Sequence, residues 1–286
     1  MFHAQIDIPS SIKSLREDGF VIVKNFLDPM FRGDLYHSFL KRCSAGIAHA
    51  GSTGLMNVQP NMCMLDAPLT LHPNAVQLAI CEPIVGILEG YLNTNIQLSY
   101  CSAYRTTIVK NEFRRKRLKT PGVFSGWHSD ANVIAPDRGF RFCVAMYYLS
   151  DVKPGCGALE LVRGSHLYGG KKRPWNPEEI DNFDDNYVEV HAPAGTLIIF
   201  DMEMIHRAGI PTDSARDIIR MMYGPVGTFG EPLIYSNHTL PGTLSEKDKQ
   251  VLRIGCVNTS EIPLSHTMPP KPKLLDRLLA RGPAKY

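Results

Sequence analysis

The sequence predicts a mainly β protein with flanking helices: an antiparallel roll of two sheets carrying helices at its N-terminal end. Three observations predict it. Helical apolar spacing is concentrated in the first third of the chain. From residue 95 onward six short β-like runs follow one another, and turn signals such as Pro154–Gly155 and Pro193–Ala194–Gly195 divide them. Helices first and then many short strands is the pattern of a layered roll, not of alternating βαβ units.

The elements can be justified in order. GFVIVKNFL (19–27) predicts a strand and DPMFRGDLYHSFLKR (28–42) a helix. Asp28 can cap that helix, Pro29 suits its first position, and Phe31, Leu35 and Phe39 share one face. A Gly/Ser-rich loop follows. Residues 74–92 are again helical in spacing, with Pro83 marking a start or a break. The β-like runs are 95–104, 140–149, 157–162, 186–192, 195–200 and 217–224. A last helix is expected at 245–254, where Ser245 and Asp248 stand at capping-box spacing. With no internal repeat and no convincing linker, one domain is expected: an N-terminal helical part over about 1–94, a β core over about 95–225 and a C-terminal extension over about 226–286.

Composition narrows the function classes. Of 286 residues 44% are hydrophobic and 21% charged, as in an ordinary soluble globular chain. The net charge, 31 − 28 = +3, is too small to imply nucleic-acid or membrane binding. Seven scattered cysteines form no CxxC pair, which argues against a disulfide framework or zinc knuckle and for a reducing compartment. The first residues show no basic region followed by an apolar run, and no uninterrupted apolar stretch is long enough for a membrane span. A cytoplasmic protein is the expectation.

The chemistry is carried by the stretch GWHSDAN (126–132). Alone, His128-x-Asp130 reads first as a turn histidine beside a capping aspartate, and two further features change that reading. GTLIIFDMEMIHRAG adds a buried-looking strand, Gly195–Phe200, that runs almost directly into His206, a placement rigid enough for a ligand. Two histidines and a carboxylate on one face of a metal leave three positions open, as non-heme Fe(II) oxygenases require. Arg216, ten residues after His206, supplies a fork suited to the distal carboxylate of a 2-oxo acid, in a way lysine cannot. Arg220, four residues further along the same strand face, is a rival for that role.

Over roughly residues 15 to 225 the chain resembles the phytanoyl-CoA dioxygenase-like branch of the Fe(II)/2-oxoglutarate oxygenases. The resemblance rests on LREDGFVIVKNFLDP, on WHSD, on LSDVKPGCGALELVRGSH (149–166), and on GTLIIFDMEMIH followed by the arginine. It implies a double-stranded β-helix, the cupin-like jelly roll. It implies His128, Asp130 and His206 as ligands of Fe(II), and Arg216 as the 2-oxoglutarate arginine, a match that Tyr223 supports by closing the strand. The implied reaction consumes 2-oxoglutarate and O2, releases succinate and CO2, and oxidises a C–H bond of a small-molecule substrate, most often by hydroxylation. Arg163 in the PGSH-like segment and Ala208 after the distal histidine depart from the family pattern. Two rivals remain on the residues alone: a zinc hydrolase using the same triad, which finds no use for Arg216, and a non-catalytic jelly-roll module that keeps its metal.

Other polar residues are given structural roles. His166 is expected to stabilise a turn, His191 to face a rim, Asp201 to cap or turn, and Trp127 to pack in the core or on the site. The basic run within EFRRKRLKT (112–120) reads as a solvated loop, or as an anion-attracting lid if it borders the mouth, in which case the substrate is anionic. The polar insert 169–186 is expected to cover the site.

Overall fold

In the computed structural model of the chain, residues 6–48, 56–59, 62–118, 126–130, 140–168, 180, 186–228, 230 and 233–255 are described. Residues 1–254 form one compact unit; of the remaining stretch, 255–286, only Gly255 is described.

The helices are α1 (Ile8–Glu17), α2 (Pro29–Ala48), α3 (Pro73–Ala79), α4 (Glu82–Leu92), α5 (Glu112–Leu118) and α6 (Glu246–Val251). The strands are β1 (Phe20–Val23), β2 (Met56–Gln59), β3 (Met62–Leu65), β4 (Ile96–Thr106), β5 (Cys143–Tyr148), β6 (Leu159–Val162), β7 (Tyr187–Val190), β8 (Leu197–Asp201), β9 (His206–Ala208) and β10 (Arg216–Pro225). Seven strands make one sheet in the order β1-β8-β5-β10-β4-β3-β2, and three make a second in the order β7-β6-β9. All the pairings are antiparallel, as a jelly roll requires.

Strand periodicity sorts the core into two layers. Val144, Met146 and Tyr148 of β5, Ile198 and Phe200 of β8, and Ile218 and Met222 of β10 point between the sheets. Their neighbours Ala145, Tyr147, Leu197, Ile199, Ile219 and Met221 point the other way, onto Leu35 and Phe39 of α2 and Ile84 and Leu88 of α4. The central strands are covered on both faces, which is why they read as unbroken apolar runs. β4 carries a bulge: Met222 pairs with Tyr100 but Tyr223 with Leu98, leaving Ser99 as the extra residue.

Local signals act where expected. Asp28 Oδ1 accepts from the backbone N–H groups of Met30 (2.9 Å) and Phe31 (3.1 Å), opening α2. Ser245 and Asp248 form a reciprocal capping box on α6, and Val251 and Leu252 enter the main core. Gly195, at φ +88°, makes the turn into β8 with its carbonyl accepting from Leu27 N–H. The helical spacing at 74–92 resolves into α3 and α4, broken at Ile80–Cys81 just before Pro83. Residues 73–92 are apolar enough in composition to cross a membrane, but here they are two helices whose Val76, Leu78, Ile84 and Leu88 fill the core.

Five elements differ from the sequence expectation. α1 needs tertiary support, burying Leu15 and Ser11 behind an Asp7 cap. β2 and β3 form a four-residue hairpin pair beside the Gly/Ser-rich loop, and β9 has three residues, too few to show alternation. The basic run folds as a helix rather than a loop. Its strong helix formers meet no proline or glycine, and Arg115 N–H donates to Asn111 carbonyl at the first turn. Phe113 on it is 72% exposed. The insert 169–186 lies almost wholly outside the described residues; its Ile180 is buried beside Trp127, Val162 and Ile205.

Candidate active site

The chain leaves the large sheet at Asp201, turns, and enters the small sheet at His206. Asp201 holds the turn: its side chain accepts from Glu203 N–H (2.7 Å), Tyr91 hydroxyl (2.6 Å) and Arg141 (3.3 Å) while fully buried. The Met202 carbonyl at that turn accepts from Asp130 N–H (3.0 Å) and Ser129 hydroxyl (3.1 Å). His128 and His206 exchange both backbone hydrogen bonds, at 3.0 and 2.9 Å. Residues 78 positions apart in sequence are therefore fixed side by side on rigid backbone.

The side chains converge. One ligand atom from each of His128, Asp130 and His206 lies within 4.8 Å of the others, the imidazole centroids are 4.4 Å apart, and each Nε2 faces one Asp130 oxygen, at 3.5 Å from His128 and 3.7 Å from His206. The other ring nitrogens are fixed by carbonyls: His128 Nδ1 to Gly126 (2.7 Å) and His206 Nδ1 to Met204 (3.0 Å). A carbonyl can only accept, so each Nδ1 carries a proton and each Nε2 points into the cluster. Burial, reinforced by His128, pushes the His206 pKa down to about 4, so this imidazole is neutral near pH 7. Burial acts to raise the Asp130 pKa, but Arg220 and the two histidines hold it below the usual value. Two imidazoles and one carboxylate within reach of one point form a donor set suited to a divalent transition metal.

Both candidate arginines line the cavity between the sheets, together with His128, His206 and Ile218, because positions 216, 218 and 220 share one strand face. They are engaged differently. Arg220 places Nη1 3.4 Å from Asp130 Oδ2 and lies over the Tyr100 ring. Arg216 is 2% exposed, and its Nε and Nη1 have no hydrogen-bond partner among the described residues. Burial pulls its pKa down while the neighbouring Tyr148 acts the other way, and an arginine keeps its charge, so the cavity contains a buried cationic fork.

Several contributing residues were not legible beforehand. Asp217 binds Tyr36 hydroxyl (2.8 Å) and Arg105 (3.3 Å), tying the start of β10 to α2 and β4 directly beside Arg216. Tyr148 hydroxyl links Leu159 N–H (3.1 Å) to Val190 carbonyl (3.1 Å) across the sheets. Only its alternation on β5 marks it as inward-facing. The residues given structural roles keep them. His166 Nε2 meets Arg16 carbonyl (3.2 Å), and His191 lies 3.0 Å from Glu189. Trp127 packs in a small cluster under Arg207, whose guanidinium lies 4.3 Å from the ring centroid. Arg163 is bonded to Asp18 at 2.6 Å, so this departure from the family pattern secures the α1–β1 junction.

The fold and the triad define a jelly-roll oxygenase class, and comparison with known proteins agrees. The phytanoyl-CoA dioxygenase (PhyH) family model matches residues 15–217. The chain belongs to this family of Fe(II)/2-oxoglutarate-dependent dioxygenases. No curated protein matches it in sequence. Among solved structures it is similar to the α-ketoglutarate-dependent epimerase SnoN from nogalamycin biosynthesis, at 21% identity and TM-score 0.53, covering 84% of this chain and 92% of that one. The carbocyclase SnoK from the same biosynthesis matches at 18% identity and TM-score 0.56, covering 80% and 88%. EctD from S. alaskensis, solved with 2-oxoglutarate and 5-hydroxyectoine, matches at 16% identity and TM-score 0.56, covering 81% of each chain. At these identities the likeness is one of fold.

Proposed function

We propose that this chain oxidises a C–H bond of a small-molecule metabolite, with hydroxylation as the outcome, coupled to conversion of 2-oxoglutarate to succinate and CO2. The observation that carries the reading is Arg216: a buried guanidinium whose Nε and Nη1 have no hydrogen-bond partner among the described residues, in the same cavity as His128 and His206. A buried charge with unsatisfied donors is costly, and a carboxylate bound there would satisfy them.

Fe(II) with 2-oxoglutarate and O2 supplies the oxidising chemistry when bound. His128 and His206 would hold the metal through Nε2, their rings oriented by the Nδ1–H contacts to Gly126 and Met204. Asp130 would hold it through a carboxylate oxygen, placed by the Met202 carbonyl. Arg216 would orient the distal carboxylate of 2-oxoglutarate. Phe200, Leu159 and Met146 line the cavity and exclude water.

A hydrolytic use of the triad lacks support, since none of the described residues lining the cavity beyond it is a carboxylate or imidazole that could serve as general base. The six described cysteines are buried free thiols, which supports a reducing compartment such as the cytoplasm. The test is succinate release from 2-oxoglutarate by the purified protein. The expected result is dependence on both Fe(II) and O2; a zinc-supported hydrolysis indifferent to oxygen would overturn the reading.

A further inference from the structure

Two guanidiniums line the cavity, and one of them meets the carboxylate of Asp130. Arg216 and Arg220 stand on one face of β10, roughly 13 Å apart along the strand. Arg220 is well enclosed, its side chain 14% exposed. Among the described residues the acid that pairs with it is Asp130, at 3.4 Å. Its Nε is buried without a hydrogen-bond partner. Asp66 is engaged elsewhere, accepting from the hydroxyl of Tyr100 at 3.0 Å, while Arg220 lies over the ring of that tyrosine.

The charge balance, resting on the oxygenase reading above, decides what Arg220 is for. A divalent metal and the 2-oxoglutarate dianion cancel. The histidines are neutral donors, Asp130 turns its charge to the metal, and Arg216 faces the cosubstrate. One positive charge is left over, at Arg220, in a cavity where an uncompensated charge is costly. Its surroundings, Tyr100 with Met64 at the hydroxyl and Tyr104 buried alongside, are aromatic and apolar.

We propose that Arg220 anchors an oxyanionic group, a carboxylate or a phosphate, carried by the apolar carbon skeleton of the substrate. Arg216 and Arg220 thereby divide the work: the first reads the cosubstrate, the second the substrate. The guanidinium fork suits either oxyanion.

The test uses the full chain loaded with Zn(II) and 2-oxoglutarate, so that binding is measured without turnover. The probes are a homologous series of monocarboxylic acids, alkyl phosphates of the same chain lengths, and the methyl esters of the acids. The expected result is that one of the two anionic series binds more tightly than the esters by about tenfold or more, which also tells carboxylate from phosphate. In Arg220→Gln that preference should disappear, and the loss should exceed any change in 2-oxoglutarate affinity. Esters binding as well as acids, no anionic probe binding at all, or an undiminished preference in Arg220→Gln would each overturn the proposal. Failure of the parent protein to bind Zn(II) and 2-oxoglutarate would instead sink the oxygenase reading itself.

Discussion

His128 and His206 each offer a lone pair whose direction is set by a carbonyl two residues upstream, at 2.7 and 3.0 Å. Replacing either by alanine removes a donor that no described neighbour can replace. His128→Ala and His206→Ala should each lose nearly all 2-oxoglutarate-dependent succinate formation, and calorimetry with Co(II) should show metal binding weakened by at least about 100-fold. The arginines are separable in the same way. Arg216→Ala should weaken 2-oxoglutarate binding by about 2–5 kcal/mol, as for one partner of a buried charge pair. Arg220→Ala should cost clearly less. A 2-oxoglutarate titration returning the opposite ranking would move the cosubstrate role to Arg220.

The turn from β8 to β9 is the element on which the site hangs, because it carries both His206 and the Met202 carbonyl that fixes Asp130. Asp201 holds it through three partners, one of which, Arg141, is 41% exposed. Asp201→Ala should therefore cost about 2 kcal/mol, less than for a fully enclosed pair, and should also weaken metal binding. Urea denaturation and a metal titration of the same variant would check both halves. By contrast α2 packs on the far face of the large sheet, where its Tyr36 meets Asp217 rather than a metal ligand. Asp28→Ala removes its N-cap and should cost about 1 kcal/mol of stability while leaving metal affinity within error. Equal effects of the two variants on metal binding would show that the β8–β9 turn has no special role.

Stability of the whole molecule is linked to the site, since the ligands meet only in the folded chain. A metal at 100 times its dissociation constant stabilises the native state by about 2.7 kcal/mol. For a domain of this size that raises Tm by about 5–11 °C. Differential scanning calorimetry should show the increase with the parent protein and its absence in His206→Ala. An identical shift in the variant would place the metal elsewhere.

What the sequence by itself determined is the class of fold, the helix starts and the residues that matter. Short apolar runs between turn signals mark the strands, Asp28 and Ser245 mark caps, and His128, Asp130, His206 and Arg216 stand out as chemistry-bearing types close to those runs. Such signals are local, carried within a few residues. The tertiary structure alone decided which partners those residues take. The His128–His206 bridge, the Met202 carbonyl beneath Asp130 and the Asp217–Tyr36–Arg105 tie behind Arg216 join segments far apart in sequence, so no periodicity encodes them. The short strands β2, β3 and β9 exist because neighbouring strands complete their hydrogen bonds. The two arginines, alike in the strand pattern, take different surroundings in the fold: Arg220 has a carboxylate at 3.4 Å, while Nε and Nη1 of Arg216 have no hydrogen-bond partner among the described residues.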